Sequence, residues 1–227
     1  MAFNIGFVLF PNLTQLDLTG PLQVLHRLPD ARAHIVAKTR EPVPSDCGLG
    51  LVPTTTFATC EPLDLICVPG GFGVSGAIAD AATIEFVRRL ATQAQYVTSV
   101  CTGAFVLGVA GVLKGRRATT HWAYTGLLPL VGATYEQARV VIDGKIFTGG
   151  GVTAGIDFAL RIAAQVAGSE AAQRIQLSIE YDPAPPFTAG NPSVAPASVR
   201  DPTTERFAVR LATFRGELEQ AMAQQPA

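Results

Sequence analysis

The amino-acid sequence predicts an α/β protein with a mostly parallel central sheet that is covered by helices on both faces. Apolar runs of strand length alternate along the chain with segments of helical periodicity. The runs at 4–10 and 64–70 are apolar almost throughout, which is typical of strands buried on both faces of a parallel sheet. The alternation itself is typical of folds in which helices connect neighbouring parallel strands.

The first half of the chain supplies most of the predicted sheet. Its segments are a strand at 4–10, a helix at 17–28, a strand at 33–38, further β structure at 48–56, a strand at 64–70, a helix at 81–95, a strand at 96–100 and a helix at 102–112. The first helix is indicated by its apolar positions, which are Leu18, Leu22, Val24, Leu25 and Leu28. The strand at 64–70 ends on glycines, as a strand that leads into a tight turn does.

The second half begins with a hairpin and a buried helix. The pair Asp143-Gly144 lies between apolar residues within 139–151 and favours a two-residue turn between antiparallel strands. Residues 152–166 are apolar on nearly every helical face, which predicts a helix deep in the fold.

The sequence divides into an α/β domain at 1–182, a Pro-rich strap at 183–202 and a C-terminal helix at 203–227. Six prolines in the strap predict an irregular segment. The helix has one apolar stripe at three- and four-residue steps, formed by Phe207, Leu211, Phe214, Leu218 and Met222. We expect this stripe to pack on the domain or on a second subunit.

Composition and charge exclude several classes of partner. Charged residues make up 15% of the chain, below the roughly 25% usual for soluble domains, which predicts a homo-oligomer that hides apolar surface. The 17 basic and 18 acidic residues nearly cancel, so we expect no nucleic-acid or membrane-surface partner. The N-terminus lacks signal-peptide features, and hydroxyls and glutamines within the uncharged stretch 90–113 argue against a membrane span. We therefore expect a cytoplasmic protein.

The four cysteines are Cys47, Cys60, Cys67 and Cys101, and no two have the CxxC spacing of a zinc site. We therefore expect no metal and no cofactor. Cys67 lies within the apolar run LICV and is predicted to be a core residue. Cys47 and Cys60 lie in polar, Pro-rich surroundings and are predicted to be surface thiols.

Cys101 lies where the strand at 96–100 gives way to the helix at 102–112. Such a turn holds a side chain beyond the carboxyl end of the sheet, where α/β proteins bind ligands. The free N–H groups and positive dipole at the start of the helix are expected to lower the thiol pKa. The alternative is a small core residue, because free cysteines are commonly buried. The position of Cys101 at this turn favours the interpretation as a nucleophile.

Gly70 and Gly71, which end the strand at 64–70, should meet Cys101 at the same edge. Glycines there let a backbone N–H come close to a reacting atom. The N–H groups of Gly71 and Thr102 would together stabilise an anion. The alternative is that the two glycines only end the strand.

Asp17 begins the first helix after the first strand, so its carboxyl is also expected near this edge. Taken by itself it is a good helix cap, since aspartate is favoured there. His121, beside Trp122, is either a base for Cys101 or a hydrogen-bonded packing residue, and the residues favour packing.

Several segments together resemble the ThiJ/PfpI superfamily. They are DLTGP after the first strand, PGG after the third, SVCTG around Cys101, RRATTHW (116–122) and FTGGGVTAGIDFAL (147–160). The resemblance implies a flavodoxin-like, three-layer sandwich of the glutamine amidotransferase type, and a homodimer. It also implies a nucleophilic cysteine at the turn and an acidic side chain from the first strand–helix junction. Those roles fall on Cys101 and Asp17.

Within this superfamily the chain resembles the isocyanide hydratases, through FPNLTQLDLTGP, SVCTGAFVLGVAGVLKGRRATTHWAY, TGGGVTAGIDFAL and EYDPAPPFTAGNP. The resemblance implies a hydro-lyase that converts isocyanides to N-substituted formamides. Cys101 would add to the terminal carbon, Asp17 would protonate that carbon, and water would release the product from a thioimidate. Thr102 would hold the water or the substrate nitrogen. Gly150 would let the following helix begin close to the site, where an added side chain should disturb it.

Three alternatives remain from the sequence. The motifs around Cys101 also occur in non-catalytic sensory domains of AraC-type regulators, but the chain after Tyr181 is short and is not basic, so we expect no DNA-binding module. A glyoxalase or deglycase would act on small aldehydes, and members of that kind typically carry Glu where this chain has Asp17. A thiol redox sensor would use the same thiolate as an oxidation site.

Overall fold

The computed structural model describes residues 2–225. Residue 1 of the predicted α/β domain and residues 226–227 of the predicted C-terminal helix lie outside the described part. The strands are β1 (Phe3–Val8), β2 (Ala31–Ala37), β3 (Val43–Pro44), β4 (Gly50–Leu51), β5 (Thr55–Thr56), β6 (Leu65–Val68), β7 (Tyr96–Val100), β8 (Arg117–Ala118), β9 (Thr134–Tyr135), β10 (Val140–Asp143) and β11 (Ile146–Gly149). The helices are α1 (Gln15–Leu25), α2 (Val74–Ala79), α3 (Ala81–Gln93), α4 (Gly103–Val109), α5 (Ala154–Ala167), α6 (Ser169–Ser178) and α7 (Ala197–Ala223), with a 3₁₀ helix at Trp122–Val131.

Seven strands form the central sheet in the order β10-β11-β7-β6-β1-β2-β5. Every neighbouring pair is parallel except β10 and β11, which form the predicted hairpin. The chain moves from β1 to β2 in one direction and from β6 to β7 in the other, so right-handed connections place α1 and α3 on opposite faces. Helix α5 packs with α1 and α6, and α2, α4 and α7 pack with one another beside α3. The predicted three-layer, flavodoxin-like α/β fold is confirmed.

The centre of the sheet is the core of the protein. All four residues of β6 are completely buried, as expected for an apolar run in the middle of a parallel sheet. The uncharged stretch 90–113 contains the end of α3, then β7 and α4, whose residues Gly103 to Val109 are all buried. Within residues 2–225, no helix combines the length and the apolar character that a membrane crossing requires.

Helix α5 is less deeply buried than the sequence predicts. It packs on α1, and its core face includes Phe158, Ala159 and Ile162, which are completely buried. Arg161 and Gln165 are exposed on the other side. These two polar residues, four positions apart, mark one solvent face, so the prediction of burial on nearly every face was wrong.

Helix α7 begins at Ala197, six residues before the predicted boundary at 203. Pro202 therefore lies inside the helix, where it removes one backbone N–H donor. The helix tolerates this because Pro202 and Ser198, whose carbonyl loses its partner, are both exposed to water. Farther along, Phe214 and Leu218 are buried against the same chain, so the apolar stripe packs on the domain itself.

Candidate active site

Cys101 occupies a tight turn between β7 and α4. Its φ is 56°, in the left-handed region that residues other than glycine seldom adopt. Its N–H donates to the carbonyl oxygens of Gly149 and Gly150 at 3.1 and 2.8 Å. The Thr120 hydroxyl donates to the Cys101 carbonyl at 2.7 Å. These bonds hold the predicted strand-to-helix turn at the carboxyl end of the sheet.

A cavity of about 120 Å³ opens beside Cys101. Its other walls are Thr14, Gly71, Phe72, Thr102, His121, Tyr124, Val152 and Phe207. None of these described residues is Asp, Glu, Lys or Arg, so the cavity suits a small uncharged molecule. A larger cavity of about 650 Å³ lies beyond the ends of β1 and β2, but its walls include neither cysteine nor histidine. We therefore place the candidate active site at the smaller cavity.

Asp17 lies in the first turn of α1 and is completely buried. Its Oδ2 accepts a hydrogen bond from the Gly70 N–H at 2.8 Å, whereas Oδ1 is buried without a hydrogen-bond partner of ordinary geometry. The residue before the helix is Thr14, so the capping interpretation of Asp17 was wrong. Burial raises the pKa of Asp17 to about 7, against a lowering effect of the Gly70 N–H, and the charge of Asp46 raises it further.

The pKa of the Cys101 thiol is raised, mainly by burial and next by the neighbouring charge of Asp17. The Thr102 amide and hydroxyl act in the opposite direction but are weaker. The prediction that the helix start lowers this pKa was therefore wrong for the resting site. Cys101 is only 6% exposed, and the desolvation of a thiolate outweighs the dipole of the seven-residue α4.

The two glycines after β6 bind Asp17 and Thr102. The Gly71 N–H donates to the Thr102 hydroxyl oxygen at 3.0 Å, and that hydroxyl reaches the Gly71 carbonyl at 3.3 Å. The Gly71 amide is thus engaged, and the expected anion-stabilising pair of Gly71 and Thr102 is not preformed. A Cβ added at Gly70 would lie 2.6 Å from the Thr102 nitrogen and 2.9 Å from Asp17 Oδ2. Only glycine fits this approach.

Gly150 supports the nucleophile turn and offers no free amide. Its N–H donates to the Arg139 carbonyl at 2.9 Å, and its own carbonyl accepts the Cys101 N–H. A Cβ at this position would meet the Arg139 and Thr120 carbonyl oxygens at 3.6 and 3.8 Å, which are ordinary contacts. The expected disturbance by an added side chain at Gly150 is therefore not explained by a clash at the Cβ atom.

His121 packs among aromatic rings at the edge of the cavity. Its Nδ1 accepts a hydrogen bond from the Ala123 N–H at 3.3 Å, which leaves the proton of the neutral ring on Nε2. Burial lowers its pKa, which favours the neutral form. Its ring lies 5.5 Å from that of Trp122 and 5.3 Å from that of Phe207, between centroids. These contacts agree with the packing interpretation.

The other cysteines lie outside the site. Cys67 is buried in β6, where burial raises its pKa to about 12, while Cys47 is exposed and Cys60 is half-buried. Across residues 2–225 no three side chains of the metal-binding types come together. Six residues at the site were not predicted from the sequence, because nothing in their local pattern points to Cys101: Thr14, Phe72, Thr120, Tyr124, Val152 and Phe207.

We expect Asp17→Asn to stabilise the folded protein at neutral and alkaline pH. The pKa of Asp17 rises from 3.8 to about 7 on folding, so its contribution to stability is complete below pH 3.8 and is lost as the pH rises through 7. Asparagine is uncharged and can still accept the Gly70 N–H. Each pKa unit corresponds to about 1.4 kcal/mol, so the free energy of unfolding at about pH 8 should rise by a few kcal/mol.

Chemical denaturation at about pH 8 and pH 4 measures this effect, with the exposed Asp182→Asn as a matched control. The gain from Asp17→Asn should shrink toward the lower pH, and the control should show no comparable gain. An equal gain for Asp17→Asn at both pH values would contradict the raised pKa.

Comparison with known proteins gives the family. A sequence model described as the DJ-1/PfpI family matches residues 4–165, which include the turn, the cysteine and the buried carboxyl. The chain belongs to the DJ-1/PfpI family. The superfamily predicted from the motifs is therefore confirmed. Among the walls of the cavity within residues 2–225, Phe207 alone lies outside the matched region.

Three individual proteins show how far the similarity extends along the chain. Isonitrile hydratase of Pseudomonas putida is 57% identical over 211 residues, which are 93% of this chain and 92% of that protein. The HTH-type transcriptional regulator CdhR of Pseudomonas aeruginosa is 31% identical over 80% of this chain and 55% of its own. The crystal structure of a ThiJ/PfpI family protein from Pseudomonas syringae superposes with a TM-score of 0.92 at 42% identity, over 98% of this chain and 91% of that one.

Proposed function

We propose that this DJ-1/PfpI protein is an isocyanide hydratase, a cysteine-dependent lyase that converts isocyanides to N-substituted formamides. The observation that carries the proposal is the near full-length likeness to isonitrile hydratase of Pseudomonas putida, at 57% identity. The buried Cys101 beside a carboxyl with a pKa of about 7, under an uncharged cavity, supports it. We propose Cys101 as the nucleophile and Asp17 as the proton carrier.

In the first step the sulfur of Cys101 attacks the terminal carbon of R–N≡C. Asp17, as carboxylate, accepts the thiol proton while the C–S bond forms. One π electron pair of the C≡N bond moves to the nitrogen as its lone pair, the carbon keeps the lone pair it already had, and Asp17 returns the proton to that carbon lone pair. The product is a thioimidate, R–N=CH–S–Cys101. A carboxyl with a pKa of about 7 can both accept and return a proton near neutral pH.

In the second step a water molecule attacks the thioimidate carbon. Asp17 takes a proton from the water and passes it to the substrate nitrogen, which has received the π pair of the C=N bond. The C–S bond then breaks with its electron pair on sulfur, and the remaining hydroxyl proton returns through Asp17 to Cys101. The product is R–NH–CHO, and both side chains regain their starting states.

The other site residues position these two groups. The Thr102 amide and hydroxyl lower the pKa of the thiol, so they favour the sulfur anion that leaves in the second step. Gly70 holds one oxygen of Asp17, and Gly71 orients the Thr102 hydroxyl. Gly150 fixes the backbone of Cys101. We assign all three glycines to the scaffold of the site.

We also propose that residues 1–182 form the catalytic domain, followed by the Pro-rich strap and the C-terminal helix, and that the protein is a cytoplasmic homodimer. Leu177, Phe187 and Val194 are 81%, 78% and 60% exposed, which supports a further interface. The four free cysteines are typical of a reducing compartment. A sedimentation measurement of the mass in solution checks the dimer.

Turnover of a simple isocyanide tests the proposed function. We expect the purified protein to convert n-butyl isocyanide to N-butylformamide in equal amounts, measured by NMR, and to form no lactate from methylglyoxal. Lactate without formamide would contradict the proposal and favour a glyoxalase. Binding of n-butyl isocyanide without turnover would favour a sensory domain, the second candidate, which the 31% identity to CdhR supports.

A further inference from the structure

A ring from outside the family-matched region closes the cavity above Cys101. The match ends at residue 165, whereas Phe207 belongs to α7. The Phe207 ring lies 5.3 Å from the His121 ring, 5.4 Å from that of Trp122 and 6.1 Å from that of Tyr124, between centroids. Phe207 is half-buried, and its ring extends the group of aromatic rings at the start of the 3₁₀ helix.

Arg210 fixes this part of α7 to the segment that carries Phe72, another wall of the cavity. Its guanidinium donates to the Phe72 carbonyl at 3.4 Å and to the Ser75 hydroxyl, and it pairs with Glu217 at 3.5 Å. Phe72 is another wall of the cavity, lies just before α2 and is 61% exposed. Arg210 is therefore a positioning residue that holds α7, which carries Phe207, against the segment that carries Phe72.

Phe214 anchors α7 on the domain through buried aromatic contacts. It is 2% exposed, and its ring lies 5.6 Å from that of Tyr124 and 5.2 Å from that of Phe105 on α4. Phe207 is thus held through a continuous set of aromatic contacts to the helix that follows the nucleophile. A side chain fixed in this way can exclude a substituent by its volume, because packed interiors yield little to added atoms.

We infer that Phe207 is the specificity-determining residue of the site and restricts the substrate to isocyanides with a small, uncharged, apolar N-substituent. The substituent must fit in a cavity of about 120 Å³. A charged substituent would lose its hydration there without gaining a partner of opposite charge. The statement about isocyanides rests on the proposed function, whereas the restriction of access to Cys101 does not.

Steady-state kinetics with three isocyanides test this inference. We measure kcat/KM for n-butyl isocyanide, for the bulkier 2,6-dimethylphenyl isocyanide and for the anion of isocyanoacetic acid. Phe207→Ala should raise the ratio of bulky to n-butyl substrate at least tenfold. Val209→Ala, on the same helix and 78% exposed, should leave that ratio within twofold of the wild type. The anion should remain a poor substrate for all three proteins, because none of them adds a positive charge.

Alkylation of Cys101 gives a second readout that needs no turnover. Iodoacetamide and the bulkier N-phenyl iodoacetamide are followed by mass spectrometry of the peptide that contains Cys101, because the exposed Cys47 also reacts. Phe207→Ala should favour the bulky reagent at Cys101 at least tenfold over the wild type. Phe207→Leu should shift the same ratio in the same direction by less, which covers a loss of folding in the alanine variant. If the wild type hydrates no isocyanide but the alkylation ratio shifts, the proposed function fails and the restriction stands. If turnover occurs and neither ratio shifts, the inference is overturned and the function stands.

Discussion

Cys101→Ala is expected to lower kcat for isocyanide hydration by about 10³-fold or more, in line with the loss of other enzymatic nucleophiles. Without the sulfur no thioimidate can form, and no other cysteine lines the cavity within the described part of the chain. The loss of isocyanide absorbance measures kcat. Mass spectrometry during turnover should find the mass of the isocyanide added to Cys101 in the wild type and no adduct in the variant.

Cys47→Ala is the matched control, since Cys47 is exposed and lies outside the cavity. It should keep kcat within twofold of the wild type. Thermal unfolding of both variants should show that the fold is kept, because alanine replaces a side chain of similar size. Full hydratase activity in Cys101→Ala would rule out the proposed mechanism for this protein.

Asp17→Asn is expected to lower kcat/KM by about 10²- to 10⁴-fold, the usual effect of removing a general acid–base group. Asparagine can keep the contact with the Gly70 N–H but cannot accept and return a proton. In the wild type, kcat/KM should rise with pH through about 7, because the carboxyl must be ionised to accept the thiol proton. The residual activity of the variant should lack this rise.

The variant Asp46→Asn tests whether the pH dependence of kcat/KM comes from the ionisation of Asp17. The charge of Asp46 raises the pKa of Asp17, so its removal should shift the pH profile toward lower pH while the carboxyl at position 17 remains. A titration with an unchanged midpoint in Asp46→Asn, or one that persists in Asp17→Asn, would mean that another group controls the rate.

The fold could be predicted because its central strands are apolar runs, and such a run indicates a buried strand without knowledge of its neighbours in space. The start of α7 could not, because tolerance of Pro202 depends on the exposure of the turn around it. Cys101 and Asp17 could be placed from motifs at strand ends. The direction of the Cys101 pKa could not be foreseen, because it depends on how α1, α4 and the 3₁₀ helix together exclude water from the sulfur.

Long-range contacts account for the other differences. The Gly71 amide was expected to be free, but the Thr102 hydroxyl, from a different strand end, already binds it. Phe207 reaches the cavity only because Phe214 and Leu218 bring α7 onto the domain. The apolar stripe predicted that α7 packs, but it did not indicate that Phe207 would reach the cavity beside Cys101.

The left-handed backbone of Cys101 and the buried carboxyl of Asp17 have a practical consequence for engineering. Both features disfavour the native state, and glycine at the first position or an amide at the second would relieve them. Selection of variants for heat resistance alone should therefore enrich inactive proteins with changes at these two positions. A useful screen has to score turnover and thermal tolerance in the same clone.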